Sequence, residues 1–168
     1  LISYEIIIFA PFYIFSIKNM IQRIQSIYLL LASGAFGSLF ALPLLTTTAS
    51  DTATSIPQLA DGRLNVFDNI GLIGLSGLGV ALAFAAIFLY KNRNLQGKIT
   101  GISLVISVLL LALAAFTAQM VRSAVPPTGS VQFGLGWVAP VAGIILLWLA
   151  GKGIKKDEKL VKSMDRLR

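Results

Sequence analysis

Very few residues in this chain could carry chemistry. It contains no Cys and no His, so a disulfide framework, thiolate or imidazole metal ligation, cysteine nucleophiles and the usual general base near neutral pH are all missing. The carboxylates are Glu5, Asp51, Asp61, Asp68, Asp157, Glu158 and Asp165. Three of them, Asp51, Asp61 and Asp68, share one segment with Arg63, which leaves it acidic enough to attract a cation or a basic partner. Their spacing lacks the one-residue alternation of a calcium loop, so a solvated loop is the better reading. No catalytic, cofactor-binding or metal-ligating residue is assigned, and no cofactor is expected.

The other polar candidates are Gln25, Gln119 and Gln132, with scattered Ser and Thr such as Ser103 and Ser107. All sit near the ends of apolar runs or are small enough to bond their own helix. Proton-coupled exporters of four-span size depend on an intramembrane carboxylate, and pumps generally need Asp, Glu or His in the hydrocarbon zone. Glu5 is the only acid inside any apolar stretch. None of these residues reads as a substrate site.

The elements that would hold them explain the scarcity. Four runs, 24–45, 70–90, 99–121 and 131–151, contain no Asp, Glu, Lys or Arg. A helix rises about 1.5 Å per residue, so each is long enough to cross roughly 30 Å of hydrocarbon. The runs are continuously apolar, which excludes the two-residue alternation of barrel strands. Hydrophobic residues make up 56% of the chain and charged ones 12%, too little polar surface for a water-soluble domain. The Leu, Ile, Val and Phe of the third run alone contribute on the order of 4–7 kcal/mol to insertion, before its Ser and Gln subtract some. One domain is the limit, because the segments between runs carry no apolar periodicity of their own.

The basic residues fall on alternate sides of these runs. Lys18 and Arg23 precede the first, Lys91, Arg93 and Lys98 lie between the second and third, and seven follow the fourth, leaving only Arg63 and Arg122 in the other two loops. Both termini are therefore expected to be cytoplasmic, with loops 46–69 and 122–130 outside. The net charge of +7 is a topology signal; its nearest partner is an anionic lipid headgroup and not a nucleic acid.

Residues 1–17, apolar but interrupted by Glu5 and Pro11, stand apart. The favoured reading makes 1–19 a fragment end or an upstream non-Met start, with Met20 as the true start and 20–168 as the four-span domain. An additional span with an outside N-terminus is the second reading, and a signal peptide the least supported, since no basic n-region or small-residue cleavage motif is present. The first outside loop, with Pro57 and the Asp61-Gly62 turn pair, is expected to be irregular. The second, around Pro126, Pro127 and Gly129, is expected to be a simple connector.

Small residues concentrate in span two, from Gly71 to Ala86, which marks it as the central packing helix. Gly136, Ala139 and Gly143 in span four, and Ser33, Gly34 and Gly37 in span one, offer further close approaches, within the chain in preference to a partner. Pro43 and Pro140 should kink or end helices. Trp137, Trp148, Tyr28 and Tyr90 lie toward span ends, as interfacial anchors do. In the tail 152–168, Ile154, Leu160, Val161, Met164 and Leu167 recur at helical spacing, and Glu158 stands four residues before Lys162. The tail is expected to be an amphipathic helix continuing from span four, lying on anionic lipid or docking a membrane-protein partner.

Two segments, MIQRIQSIYLLLA from Met20 and IKKDEKLVKSMDRLR from Ile154, resemble the opening and closing segments of the bacterial domain-of-unknown-function 4293 family of small four-span membrane proteins. The resemblance covers 20–168 and implies a bacterial inner (cytoplasmic) membrane location; it brings no activity and no site residues. The expected fold class is all-α, an integral-membrane four-helix transmembrane bundle with an amphipathic cytoplasmic C-terminal helix. The expected function is non-enzymatic, a structural or accessory membrane component. A small transporter or channel component is the alternative, and would need a polar cavity lined by Gln119, Ser103 or Ser107. A lipid-acting enzyme comes third, with only the basic rim in its favour.

Overall fold

A computed structural model describes residues 24–47, 57–125 and 130–165. The readings of residues 1–19, and the placement of Asp51, Pro126, Pro127, Gly129 and Leu167, lie outside the described residues. Four helices dominate: α1 (Ile24–Ser38), α2 (Ile70–Phe88), α3 (Arg93–Ala124) and α4 (Val138–Asp165). The helical segments Ile70–Lys91, Arg93–Ala124 and Leu135–Val161 are long and apolar enough to cross a membrane, and α1 is a shorter apolar helix over its described residues. With 32 residues, α3 is about 48 Å long. That is longer than the roughly 30 Å of a bilayer's hydrocarbon core.

Asparagines start two of the helices. Asn69 accepts from the Gly71 backbone N–H at 2.8 Å at the head of α2, and Asn92 accepts from Leu95 at 3.2 Å at the head of α3. Each satisfies one of the N–H groups that an opening turn leaves unpaired. Pro140 stands in the first turn of α4, where its missing N–H costs nothing and no kink is needed.

Burial follows the same geometry in every helix. The main buried stripe is Gln25, Leu29, Ala32 and Phe36 on α1, with Ser33 beside it; Leu72, Ser76, Gly79, Ala83 and Ala86 on α2; and Ala139, Gly143, Leu147, Ala150, Ile154 and Asp157 along α4, with Pro140 beside it. Such steps of three and four bring one stripe of a helix onto its neighbours. On α3 the stripe changes character. It is Gln96, Thr100, Ser103 and Ser107 over one half and Leu110, Ala114, Ala118 and Val121 over the other. Outward, Ile102, Val105, Leu109, Phe116 and Met120 of α3 are about half exposed, as are Ile145 and Trp148 of α4. That belt is far more apolar surface than a protein in water displays.

The helices form a closed ring. The Ser33 hydroxyl of α1 reaches the Val80 carbonyl of α2 at 3.3 Å, α3 packs along both α2 and α4, and α4 returns to α1 through Asp157 and Gln25. Phe36 fills the middle. A Cβ on Gly79 of α2 would lie 3.1 Å from its ring and one on Gly143 of α4 only 2.5 Å, so the two glycines make the slot that receives it. Span two is thus not a central helix: α2 has α1 and α3 as neighbours. Part of the small-residue pattern serves packing within the chain, whereas Gly34, Gly37, Gly74, Gly77 and Gly101 face open space.

Two expected span boundaries are corrected. Span one, 24–45, stops being helical at Ser38, and Leu45–Thr47 forms strand β1; span four, 131–151, begins with strand β3 (Val131–Phe133), and its α-helix starts at Val138. With β2 (Arg63–Leu64), these build an antiparallel sheet in the order β2-β1-β3, Leu45 standing opposite both Leu64 and Phe133. The fold is therefore mainly α with a small β cap, not purely α. The first of the loops expected outside is corrected likewise, being regular over its described part, whereas the centre of the second, 126–129, lies outside the described residues. Gln132, expected in a span, lies exposed in that strand opposite Thr46.

Side chains and close backbones hold the cap. Leu59, Leu64 and Val66 are buried beneath it, and Gly62, at φ +73°, turns the chain into β2 in the left-handed region that glycine enters without strain. The Trp137 indole N–H donates to the Leu44 carbonyl at 2.8 Å. Gly134 and Gly136 approach the Pro43 carbonyl so closely that a Cβ on either would collide with it.

Candidate functional site

The end of the bundle opposite the sheet holds a buried polar cluster. Gln25 Nε2 on α1 donates to Asp157 Oδ2 on α4 at 3.0 Å, both side chains being buried. Arg93 Nη1, at the start of α3, donates to the Asp157 backbone carbonyl at 3.3 Å. Gln96 Nε2, one turn further along α3, donates to the Ala86 carbonyl of α2 at 3.0 Å. All four helices are thereby tied at one level. Gly153 makes room for the first of these bonds, since a Cβ there would come within 2.9 Å of the Gln25 side chain.

These polar groups satisfy one another and so act as a latch. A buried amide or carboxyl left without a partner costs about 1–3 kcal/mol, so their pairing decides whether the helices can close. Arg93 is here more than a marker of sidedness, and Asp157 more than a charge in the tail. Sequence reasoning missed both roles and overlooked Gln96. The available signal was spacing: Asp157 continues the Ala150 and Ile154 stripe, placing an acid where an apolar residue is expected.

Beside the latch, α3 and α4 part to leave an open groove of about 380 Å³. Its floor is Gly97, Gly101, Leu104, Leu147 and Gly151, and its rim carries Lys98, Lys152, Lys155 and Glu158. Lys152 Nζ lies 3.7 Å above the Trp148 ring, a cation–π contact that stands the lysine along the wall. Trp148, expected as an interfacial anchor, is half exposed and lines this groove.

The residues that a polar passage would need are dispersed. Gln119 faces outward from α3, while Ser103 and Ser107 are fully buried and line no part of the groove. Ser107 bonds the Leu104 carbonyl of its own helix at 2.7 Å, as Thr100 bonds Gln96, whereas Ser76 and Ser103 have no hydrogen-bond partner among the described residues. In the sheet-end loop, Asp61 accepts from the backbone of Arg63 and from Asn65 Nδ2, and Asp68 accepts from the Asn65 backbone at 2.6 Å. Both carboxylates are therefore tied into turns.

The tail is helical through Asp165, continuous with the apolar part of α4. Its buried face is Ile154 and Asp157 and not the wholly apolar stripe expected, for Leu160 is half exposed. The side chains of Lys162 and Met164 lie outside the described residues, so the Glu158 and Lys162 pair does too.

No curated protein and no solved structure matches the chain. The family model described as Domain of unknown function (DUF4293) matches residues 21–167, which include every described helix, the sheet cap, the latch and the groove. The chain belongs to the DUF4293 family.

Proposed function

We propose that this chain is a non-enzymatic, four-span protein of the bacterial inner membrane, a structural or accessory component. Both termini are cytoplasmic, and its basic end faces anionic headgroups or a membrane-protein partner. One observation carries the reading: the inward polar groups Gln25, Gln96, Arg93 and Asp157 are spent on one another and on backbone carbonyls. A transporter would keep such groups facing a passage, and an enzyme would keep at least one on a substrate. The belt of exposed apolar side chains on α3 and α4 suits lipid contact. The run of Lys and Arg around the latch suits the cytoplasmic face.

Topology and partnership are tested together. Because the chain has no Cys, single cysteines at Asn94, Lys156 and Asp61 report position against an otherwise unreactive background. An impermeant thiol reagent should label Asp61→Cys in intact cells and the other two only after permeabilisation. Labelling of Asn94→Cys and Lys156→Cys from opposite faces would overturn the arrangement. For the accessory role, affinity purification in mild detergent should compare the full chain with Lys156→Glu/Lys159→Glu. Truncation at residue 152 is unsuitable, because it removes Ile154 and Asp157 from the core. A membrane protein that co-purifies reproducibly and is lost in the variant supports docking through the tail; solute flux through the purified protein in vesicles would count against the reading.

A further inference from the structure

We infer that the groove between α3 and α4 is a binding site for one anionic phospholipid, with the phosphate at Lys98, Lys152 and Lys155 and an acyl chain lying over Gly101 against Leu104, Leu147 and Trp148. The inference rests on the proposed membrane reading and assigns the lipid contact to one place. The groove changes chemistry along its length as a phospholipid does: lysines and Asn94 border one end, and Leu104 and Leu147 the other. Its volume lies within the range of small-molecule sites. Three lysines face a single carboxylate, Glu158, so the rim favours an anion. The positive end of the α3 dipole lies at the same rim, since Asn94, Gly97 and Lys98 belong to the first two turns of α3.

The glycines make the groove, and one of them is a clean handle on it. A Cβ on Gly101 meets nothing within 4 Å, so a larger side chain there can occupy the groove without displacing either helix. Lys156 and Lys159 are exposed on the same tail and do not line the groove, which makes them controls for diffuse attraction to a charged surface.

The test uses the full chain purified in mild detergent, delipidated, and titrated with phosphatidylglycerol or phosphatidylcholine under native mass spectrometry. One phosphatidylglycerol should bind in preference to phosphatidylcholine. Lys98→Gln/Lys152→Gln/Lys155→Gln should weaken it about fivefold per lysine, on the order of a hundredfold together. Gly101→Leu should weaken phosphatidylglycerol at least tenfold while leaving the rim charges in place, and Lys156→Gln/Lys159→Gln should leave binding within twofold. Equal loss in the two lysine variants, unchanged binding in Gly101→Leu, or equal competition by glycerol phosphate without acyl chains would overturn the site. Binding in detergent does not depend on orientation. A site that binds as described in a protein whose cysteine labelling is inverted would sink the topology and leave the groove standing, and the reverse pattern would do the opposite.

Discussion

Gln25 and Asp157 are 132 residues apart in the chain and 3.0 Å apart in space, and their hydrogen bond joins α1 to α4. A bond of that span closes the ring of four helices between α1 and α4, which are not neighbours in the chain. Removing one partner leaves the other buried and unpaired. Gln25→Leu and Asp157→Leu should each lower stability by about 1–3 kcal/mol. The double variant should lose less than the sum, with a coupling of about 0.5–2 kcal/mol. Denaturant unfolding in detergent micelles measures all three, and strict additivity would show that the contact does not hold the ends together.

Phe36 makes a second prediction, of opposite sense. Its ring occupies a slot whose width is set by Gly79 and Gly143. Gly143→Ala should destabilise the bundle by about 1–3 kcal/mol through overpacking, and the smaller side chain of Phe36→Leu should recover part of that loss in the double variant. Gly74→Ala on the same helix as Gly79 faces open space and should be neutral or slightly stabilising, because alanine is the better helix former. Thermal melts of the four variants decide the matter; equal effects at Gly74 and Gly143 would mean that the slot does not exist.

The helices were legible in the sequence because lipid-length apolar runs have no competing explanation, and α2 and α3 begin within a few residues of asparagine caps that composition alone does not weigh. The cap was not legible. Strands of two or three residues carry no alternation, and Leu45 and Val131 read as the ends of apolar runs when Leu45 in fact pairs with Phe133 and Val131 with Thr47, far along the chain. The latch was half legible: Gln25 stood out as a polar residue near a span, but Asp157 and Arg93 looked like ordinary charges at a basic end. The spacing of Ala150, Ile154 and Asp157 was the one signal that the buried stripe of α4 runs through position 157. The groove is lined by glycines from two helices, Gly97 and Gly101 of α3 and Gly151 of α4, and a single sequence does not bring those helices together.

At the sheet end, the approach of Gly134 to the Pro43 carbonyl leaves no room for any side chain. The Gly134 N–H also donates to the Leu44 carbonyl at 2.9 Å. Gly134→Ala should therefore open the β1 and β3 pairing, increasing amide exchange at position 134 while leaving α2, α3 and the Thr47 N–H, which donates to the Gly62 carbonyl, protected. Trp137→Phe keeps the ring but removes the indole donor to Leu44 and should cost about 1 kcal/mol. If Gly134→Ala leaves exchange unchanged, the cap does not depend on that close approach.

Ser76 and Ser103 distinguish a packed interior from a working one. Both hydroxyls are fully buried without a hydrogen-bond partner among the described residues, and a hydroxyl in that position is destabilising relative to a methyl group of nearly the same shape. Ser76→Ala and Ser103→Ala should each be neutral or stabilising by up to about 1 kcal/mol, and the two should add. In a structural or accessory protein, the double variant should also complement a deletion strain as well as the wild type does. Loss of complementation with stability retained would mean that the hydroxyls contact something the bundle admits, and would move the reading from accessory component to transporter.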